Sequence, residues 1–350
     1  MSKRENNEND QSEVRKIQYS GKSSFTIALP KKWVTKQKLN AGDQLIVQSD
    51  KLNNLILSSN KKQVKEKKRT AIYLNESDDK GHIERKIIAT YISGYNEISI
   101  RSKQKRILPK QRSIIKNLVR NKLVGSEIIE DSNLIISIQV ILNPSELNIE
   151  STIRRMAVIT QGMHGDIIYA IKKFDMEMAK EIIKTDDDVD RFSLYAVRQL
   201  RFMLENENSL ASLDSIEKGY CLGYRMVSKN LERIADHANL MGEQLLLLDK
   251  PLPKNIISQL EEFSNYSRNN LDKAVKALLK KDYTLADEVI SSCLTAAKKE
   301  LKILNSNVKL TKEHDACLIS MLEHIRRISD YSSDIGEVVL NLTVDDLLQK

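Results

Sequence analysis

Glu232-Arg233-Ile234-Ala235-Asp236-His237-Ala238-Asn239-Leu240-Met241-Gly242-Glu243 and Arg326-Arg327-Ile328-Ser329-Asp330-Tyr331-Ser332-Ser333-Asp334-Ile335-Gly336-Glu337 are two versions of one segment. Arg-Ile-x-Asp followed by Gly-Glu recurs with an offset of 94 residues. A second pair of segments agrees: Asp175-x-x-x-Ala179-Lys180-Glu181-Ile182-Ile183 aligns with Asp282-x-x-x-Ala286-Asp287-Glu288-Val289-Ile290 at an offset of 107. Duplication of a whole helical unit fixes architecture before any chemistry is considered. The two offsets differ by 13 residues, which places an insertion in the first repeat, most naturally in the Asn- and Ser-rich stretch Asn206–Ser215.

Around these segments run long amphipathic stretches at 148–173, 176–205, 212–249, 254–280, 283–306 and 311–342, with Pro251 and Pro253 parting the third from the fourth. Their spacing predicts six helices arranged as a pair of three-helix bundles, over 148–250 and 254–343. In the first repeat Asp186 and Asp190 stand four apart, as do Glu232 and Asp236 on the following helix. Residues at that spacing share a helix face about 6 Å apart, so each pair repels itself unless a cation intervenes. Two pairs on neighbouring helices offer four hard oxygen donors, suited to Mg, Ca, Mn or Fe.

The bulk numbers set limits. The 350 residues have room for two or three domains, and a composition 41% hydrophobic and 30% charged is that of a folded protein. No apolar run approaches the roughly 18 residues of a membrane helix, and the polar opening MSKRENNENDQSE has no signal core. Cys221, Cys293 and Cys317 form no CxxC pair or disulfide framework. A cytoplasmic protein without membrane insertion is expected. The net charge of +8 is uneven: residues 11–70 carry 14 Lys/Arg against 4 Asp/Glu. Such asymmetry points to a polyanion-binding module joined to a balanced body, or to a highly charged solvated surface.

The basic module has four short strand-like runs, Val14–Tyr19, Ser24–Leu29, Gln44–Gln48 and Leu55–Leu57, broken by Ser20-Gly21 and by Ser49–Asn54. Pro30 opens a helical turn to about Lys38, and Gly42 leads into the third strand. So little sheet buries little core, and pairing with a second copy is the usual remedy. Trp33 reads as a core plug. The stretch 61–69, six of nine residues basic, reads as an arm or a spacer. Residues 70–143 alternate strand and helix: strands at 71–74, 97–100 and 134–142, helices at 83–93 and 109–122. This small α/β segment holds a second basic block, nine Lys/Arg and no acid over 101–122, in which one helix face is buried and the other solvated.

Two resemblances follow from these residues. Gly21-Lys22, Ala28-Leu29-Pro30-Lys31-Lys32-Trp33 and Leu39-x-Ala41-Gly42-Asp43-x-Leu45-x-Val47 resemble the AbrB/SpoVT family of swapped-hairpin DNA-binding domains, over about residues 12–58. The resemblance implies a homodimer formed through the hairpins and binding to double-stranded DNA. It assigns Arg15 and its neighbour Lys16, Lys22, Lys31 and Lys32 to contact with DNA. The match departs at Val34 and Thr35, which stand where the family has basic residues; phosphate contact remains while base-specific readout is weakened. Residues 148–343 resemble the PhoU family of phosphate-uptake regulators, whose repeats each carry two Glu/Asp-x-x-x-Asp motifs that hold a metal cluster. Asp186, Asp190, Glu232 and Asp236 fall on those positions, which implies a divalent or iron-type cluster in the first repeat. The matching positions of the second repeat are Cys293, Ala297, Arg326 and Asp330, so three of four ligands are missing there. Arg326 is placed to supply a positive charge itself, by pairing with Asp330 or Asp334.

The fusion of the two resembles a group of archaeal phosphate-uptake regulators. It implies a DNA-binding transcriptional regulator of phosphate transport with a metal-binding sensory body. The alternative is an adaptor that does not bind DNA and inhibits a phosphate transporter ATPase or its sensor kinase. Catalysis is not expected. Only five His occur, there is no glycine-rich phosphate loop, and the position three before His237 is Ile234, not the Glu of a di-iron oxidase site.

Overall fold

The computed structural model describes residues 13–21, 24–49, 53–59, 68–103, 106–142, 148–205, 219–306 and 312–348. The chain divides into two units, one ending at Glu66 and one beginning at Lys67.

The first unit holds two antiparallel hairpins, β1 (Gln18–Ser20) with β2 (Ser24–Thr26) and β3 (Leu45–Ser49) with β4 (Leu55–Ser59). Between them lies the short helix α1 (Lys31–Lys36), opened by Pro30 at φ −60°. Gly21 at φ +72° makes the first turn, a conformation open to glycine at no steric penalty. Among its described residues none is buried. Val14, Ile17, Tyr19, Phe25, Ile27, Ile46, Val47, Leu55 and Ile56 are all exposed. Trp33, expected as a core plug, is only partly covered, because so small a unit has no interior to receive it.

The second unit opens with an α/β segment: β5 (Arg69–Leu74), α2 (Lys80–Ile92), β6 (Glu97–Ser102), α3 (Pro109–Lys122), β7 (Ser126–Asp131) and β8 (Ile135–Val140). The sheet order is β5-β6-β8-β7, with β5 parallel to β6 and the other pairs antiparallel. Ile98 and Ile100 pair with Ile138 and Ile136, and all four are buried with Ile83, Ile87, Ile115 and Leu118 of the covering helices. Period-2 alternation in the strands meets period-3.6 stripes on the helices. Strand β7 has no counterpart among the strands read from sequence. It is an edge strand with three carboxylates in six residues, so half of its pattern faces water.

The helical body comprises α4 (Ile149–Lys173), α5 (Met176–Glu205), α6 (Tyr220–Leu246), α7 (Lys254–Lys280), α8 (Tyr283–Cys293), α9 (Ala296–Ser306) and α10 (Lys312–Leu348). The duplication is visible in detail. Phe174 and Lys281, 107 apart, both end their helix in the left-handed region, at φ 57° and 54°. Asp175 and Asp282 then cap the next helix, each accepting a hydrogen bond from a backbone N–H (Met178, Leu285) at 3.0 Å. The repeated Gly-Glu has a packing cause. A Cβ on Gly242 would lie 3.4 Å from the Ala179 carbonyl oxygen and 3.3 Å from Ile183; on Gly336 it would lie 3.2 Å from the Ala286 oxygen and 2.9 Å from Ile290. Both glycines let the third helix of a repeat cross its second at the same aligned positions.

One predicted helix, 283–306, is two: α8 and α9 part at Leu294-Thr295. The Tyr266 hydroxyl donates to the Ser292 carbonyl oxygen at 2.5 Å and meets the Thr295 hydroxyl at 2.6 Å, holding the break. The insertion at Asn206–Ser215 and the start of the stretch 212–249 lie outside the described residues. Helix α6 packs on α10 and α4 on α7, joining the repeats. Within the first repeat His164 of α4, fully buried, donates through Nε2 to the Ile234 carbonyl oxygen of α6 at 2.7 Å. The α/β segment rests on α5 through α2 and α3. Arg198 of α5, 2% exposed, donates to the Tyr91 carbonyl oxygen and lies 4.9 Å over the Tyr91 ring. Among the described residues no helix is long and apolar enough to cross a membrane.

Candidate metal centre

The four carboxylates read from sequence lie on the touching faces of α5 and α6. Asp190, Glu232 and Asp236 each bring one oxygen into a group in which all three lie within 4.8 Å of one another. Asp186 stands one turn earlier on α5. Its Oδ2 accepts a hydrogen bond from Asn239 at 2.8 Å, and its Oδ1 is buried without a protein partner. The crossing permitted by Gly242 sets the separation of the two helices, and hence of the two pairs.

These groups perturb one another. Burial, then Glu232, Asp186 and Asp190, pushes the Asp236 carboxyl up to about 6. Burial also raises Asp190, against the opposing pull of Lys122, and raises Asp186, against its hydrogen bond from Asn239. Clustered, half-buried carboxylates that resist ionisation have the chemistry to hold a cation. The orphaned Asp186 oxygen adds a fourth donor of the same kind. The residues therefore fit a hard divalent or iron-type ion, with Asp190, Glu232 and Asp236 as its nearest ligands and Asp186 beside them.

Two lysines already touch the cluster. Lys229 pairs with Glu232 one turn away on α6. Lys122, the last residue of α3, reaches from the α/β segment to Asp187 at 3.4 Å and Asp190 at 3.5 Å. Burial alone would lower the Lys122 ammonium, but Asp190 and Asp187 more than offset this and hold it above its ordinary value. Lys122 closes the nine-cation block of 101–122, whose charged face the sequence pattern alone assigns to solvent; its contact with the carboxylates is not encoded in that pattern. The signal was a block with no acid of its own. His237, next to Asp236, turns away: its Nδ1 lies 2.9 Å from Nδ1 of His324 on α10. Burial and His324 push His237 down to about 4, so it is neutral and adds no charge to the cluster.

In the second repeat the cation is built in. Arg326 Nε lies 2.8 Å from Glu300 of α9, and its Nη1 pairs with Asp330. Cys293, at the place of Asp186, is pushed up to about 12 by burial and by Asp330, which keeps it a thiol. Of the residues expected to touch DNA, Arg15, Lys16, Lys31 and Lys32 are exposed, with Arg15 paired to Glu13. Lys22 lies outside the described residues.

A family profile for the PhoU domain matches residues 153–245 and again 260–339. Both halves of the helical body belong to the PhoU domain family. The first PhoU domain is thus built on α4 to α6 and the second on α7 to α10. A phosphate-specific transport system accessory protein PhoU homolog from Caulobacter vibrioides is 21% identical over 208 residues, spanning 57% of this chain and 89% of the relative. A protein of the same description from Aquifex aeolicus is 24% identical over 136 residues, spanning 39% of this chain and 60% of the relative. The crystal structure of the phosphate transport system regulatory protein PhoU from Streptococcus pneumoniae superposes with a TM-score of 0.50 at 16% identity, covering 56% of this chain and 94% of that one. At that identity the likeness speaks for the fold. The PhoU match does not extend to residues before 153, so the basic hairpins and the α/β segment lie outside it.

Proposed function

We infer that the chain is a PhoU-type regulatory accessory protein of phosphate transport, acting in the cytoplasm as an adaptor on a phosphate transporter ATPase or its sensor kinase. One observation carries the reading: both halves of the body match the PhoU domain, and the relatives that align with it are named as accessory proteins of a phosphate-specific transport system. Regulation by contact needs a rigid scaffold, and the interlocked repeats provide one. A hard metal ion bound by Asp190, Glu232 and Asp236 would supply a fixed positive charge that fastens α5 to α6. Asn239 orients Asp186 toward the same place, and Lys122 partly neutralises the cluster from outside. The deciding experiment is reconstitution with the phosphate transporter ATPase or the sensor kinase of the same cell. Co-elution and a change in ATPase or kinase activity are expected. No complex with either, with and without phosphate, would overturn the reading.

The first unit favours a second, compatible role. Four exposed cations, Arg15, Lys16, Lys31 and Lys32, accompany nine exposed large apolar side chains in a unit with no buried residue of its own among those described. Pairing of two copies through the hairpins would cover the apolar surface and place the cations on one dimeric face for the DNA backbone. Salt-dependent binding to DNA upstream of phosphate-transport genes, lost on changing Arg15 and Lys31 to Ala, is the expected result. Absence of binding at low salt would leave the adaptor role alone.

A further inference from the structure

Part of the basic block at 101–122 lines an open groove of about 430 Å³, whose cations are Arg106, Arg112, Lys116 and Arg120. One wall is α3. Arg112, Lys116 and Arg120 follow at every fourth position, so they climb one face in steps of about 6 Å. The opposite face carries the buried Ile115, Leu118 and Val119, and the charged face is therefore fixed in direction. The other wall is the turn between β7 and β8. Arg106 is held against it because its neighbour Ile107, 2% exposed, donates its backbone N–H to the Asn133 carbonyl oxygen at 2.9 Å.

The charges do not cancel. Asp131 pairs with both Arg112 and Lys116, and Arg112 donates further to the Ser132 carbonyl oxygen at 2.6 Å. One carboxylate thus pins two cations in position without neutralising both. Arg106 and Arg120 have no ion pair among the described residues. Four cations facing one cavity repel one another, and an anion bound between them removes that repulsion. Its chemistry can be narrowed. The lining has no aromatic ring, so it lacks the usual aromatic platform for a base, and Arg112 is already tied down by Asp131 and Ser132. Ile107 and Pro109 are its only apolar side chains among the described residues. The four cations select an anion, and guanidinium groups suit phosphoryl oxygens. The volume lies within the range of about 300–1,000 Å³ typical of small-ligand sites.

We propose that this groove on the α/β segment binds a small anion carrying two or more phosphoryl groups and no aromatic base. The site lies outside the residues matched by the PhoU family, so it stands or falls separately from the adaptor role and from the metal centre.

Calorimetric titration of the full chain with tripolyphosphate, at about 50 mM salt, tests it. One saturable site per chain is expected, at least about tenfold tighter than orthophosphate or sulfate at equal ionic strength. The double variant R106E/R120E should weaken tripolyphosphate about tenfold or more, and the milder R106Q/R120Q several-fold. K110E, a single charge reversal on α3 outside the groove, should stay within about twofold. Unchanged affinity in R106Q/R120Q with an unchanged melting temperature overturns the proposal. So does an equal loss in K110E, which would mean diffuse charge attraction, or a loss in K31E/K32E, which would move the site to the hairpins. A single-stranded oligonucleotide of equal charge that binds the groove more tightly than tripolyphosphate also overturns it, in favour of a nucleic-acid backbone.

Discussion

Lys122 meets Asp190 across 68 residues of sequence, and its ammonium occupies the flank of a carboxylate cluster suited to a divalent ion. A lysine and a metal compete for the same oxygens. Replacing it by Met should therefore raise the affinity for Mn²⁺ or Mg²⁺ about three- to tenfold, measured by titration, while lowering the stability of the metal-free protein. Weaker metal binding in Lys122→Met would show the ammonium to be a supporting partner and not a competitor. His164 makes a different statement. Burial pushes its imidazole down to about 3, and its one hydrogen bond, from Nε2–H to the Ile234 carbonyl, requires no charge. Above its unfolded value near 6.5 the group is neutral in both states and contributes no pH dependence. As pH falls from there towards 3, the unfolded chain takes up a proton that the fold refuses. Stability is lost at up to about 1.4 kcal/mol per pH unit from this residue. His164→Gln should flatten the decline between pH 6.5 and 4 by nearly one proton, as read from urea unfolding at several pH values, although it costs about 1–3 kcal/mol at neutral pH.

Helix α10 crosses α8 where Gly336 has no side chain, as α6 crosses α5 at Gly242. The first contact is the tighter, so Gly336→Ala should destabilise by about 1–3 kcal/mol and Gly242→Ala by less than about 1 kcal/mol in denaturant titrations. Equal effects would mean that the second repeat relaxes as freely as the first. These glycines explain why the duplication was legible at all: a backbone-to-backbone crossing tolerates one residue type, and it was written twice. The carboxylate pairs could be read for a similar reason, since helix periodicity alone puts Asp186 with Asp190 and Glu232 with Asp236. What escaped notice depends on distant or local polar contacts that leave no periodic trace. Strand β7 hides because edge strands need only one apolar face. The break at Leu294-Thr295 has no proline or glycine and is held by local hydroxyl contacts, of Thr295 with the Ser292 carbonyl and of both with Tyr266 of α7. Lys122 joins its partners only because α3 docks on α5, and no spacing rule encodes that docking.

Taken whole, the molecule carries two copies of one bundle with opposite ways of balancing charge. If the first is a metal centre, chelation should lower its melting temperature by several degrees, and the double change Asp190→Asn/Glu232→Gln should abolish that response. Hydrogen exchange would place the chelator-sensitive amides in α5 and α6, with α8 to α10 unaffected; uniform loosening of both halves would rule this out. In the second copy, Arg326→Met would strand Glu300, leave Asp330 only its longer pair with Arg327, and cost about 1–3 kcal/mol with or without metal. The guanidinium of Arg326 is attached to the chain and never dissociates. The second copy thus has the same charge state whatever the ionic supply of the cell, while a first copy that binds a metal would gain or lose its cation with that supply. One half can serve as the fixed reference arm of a balance, against which the loading of the other is weighed by any partner that touches both.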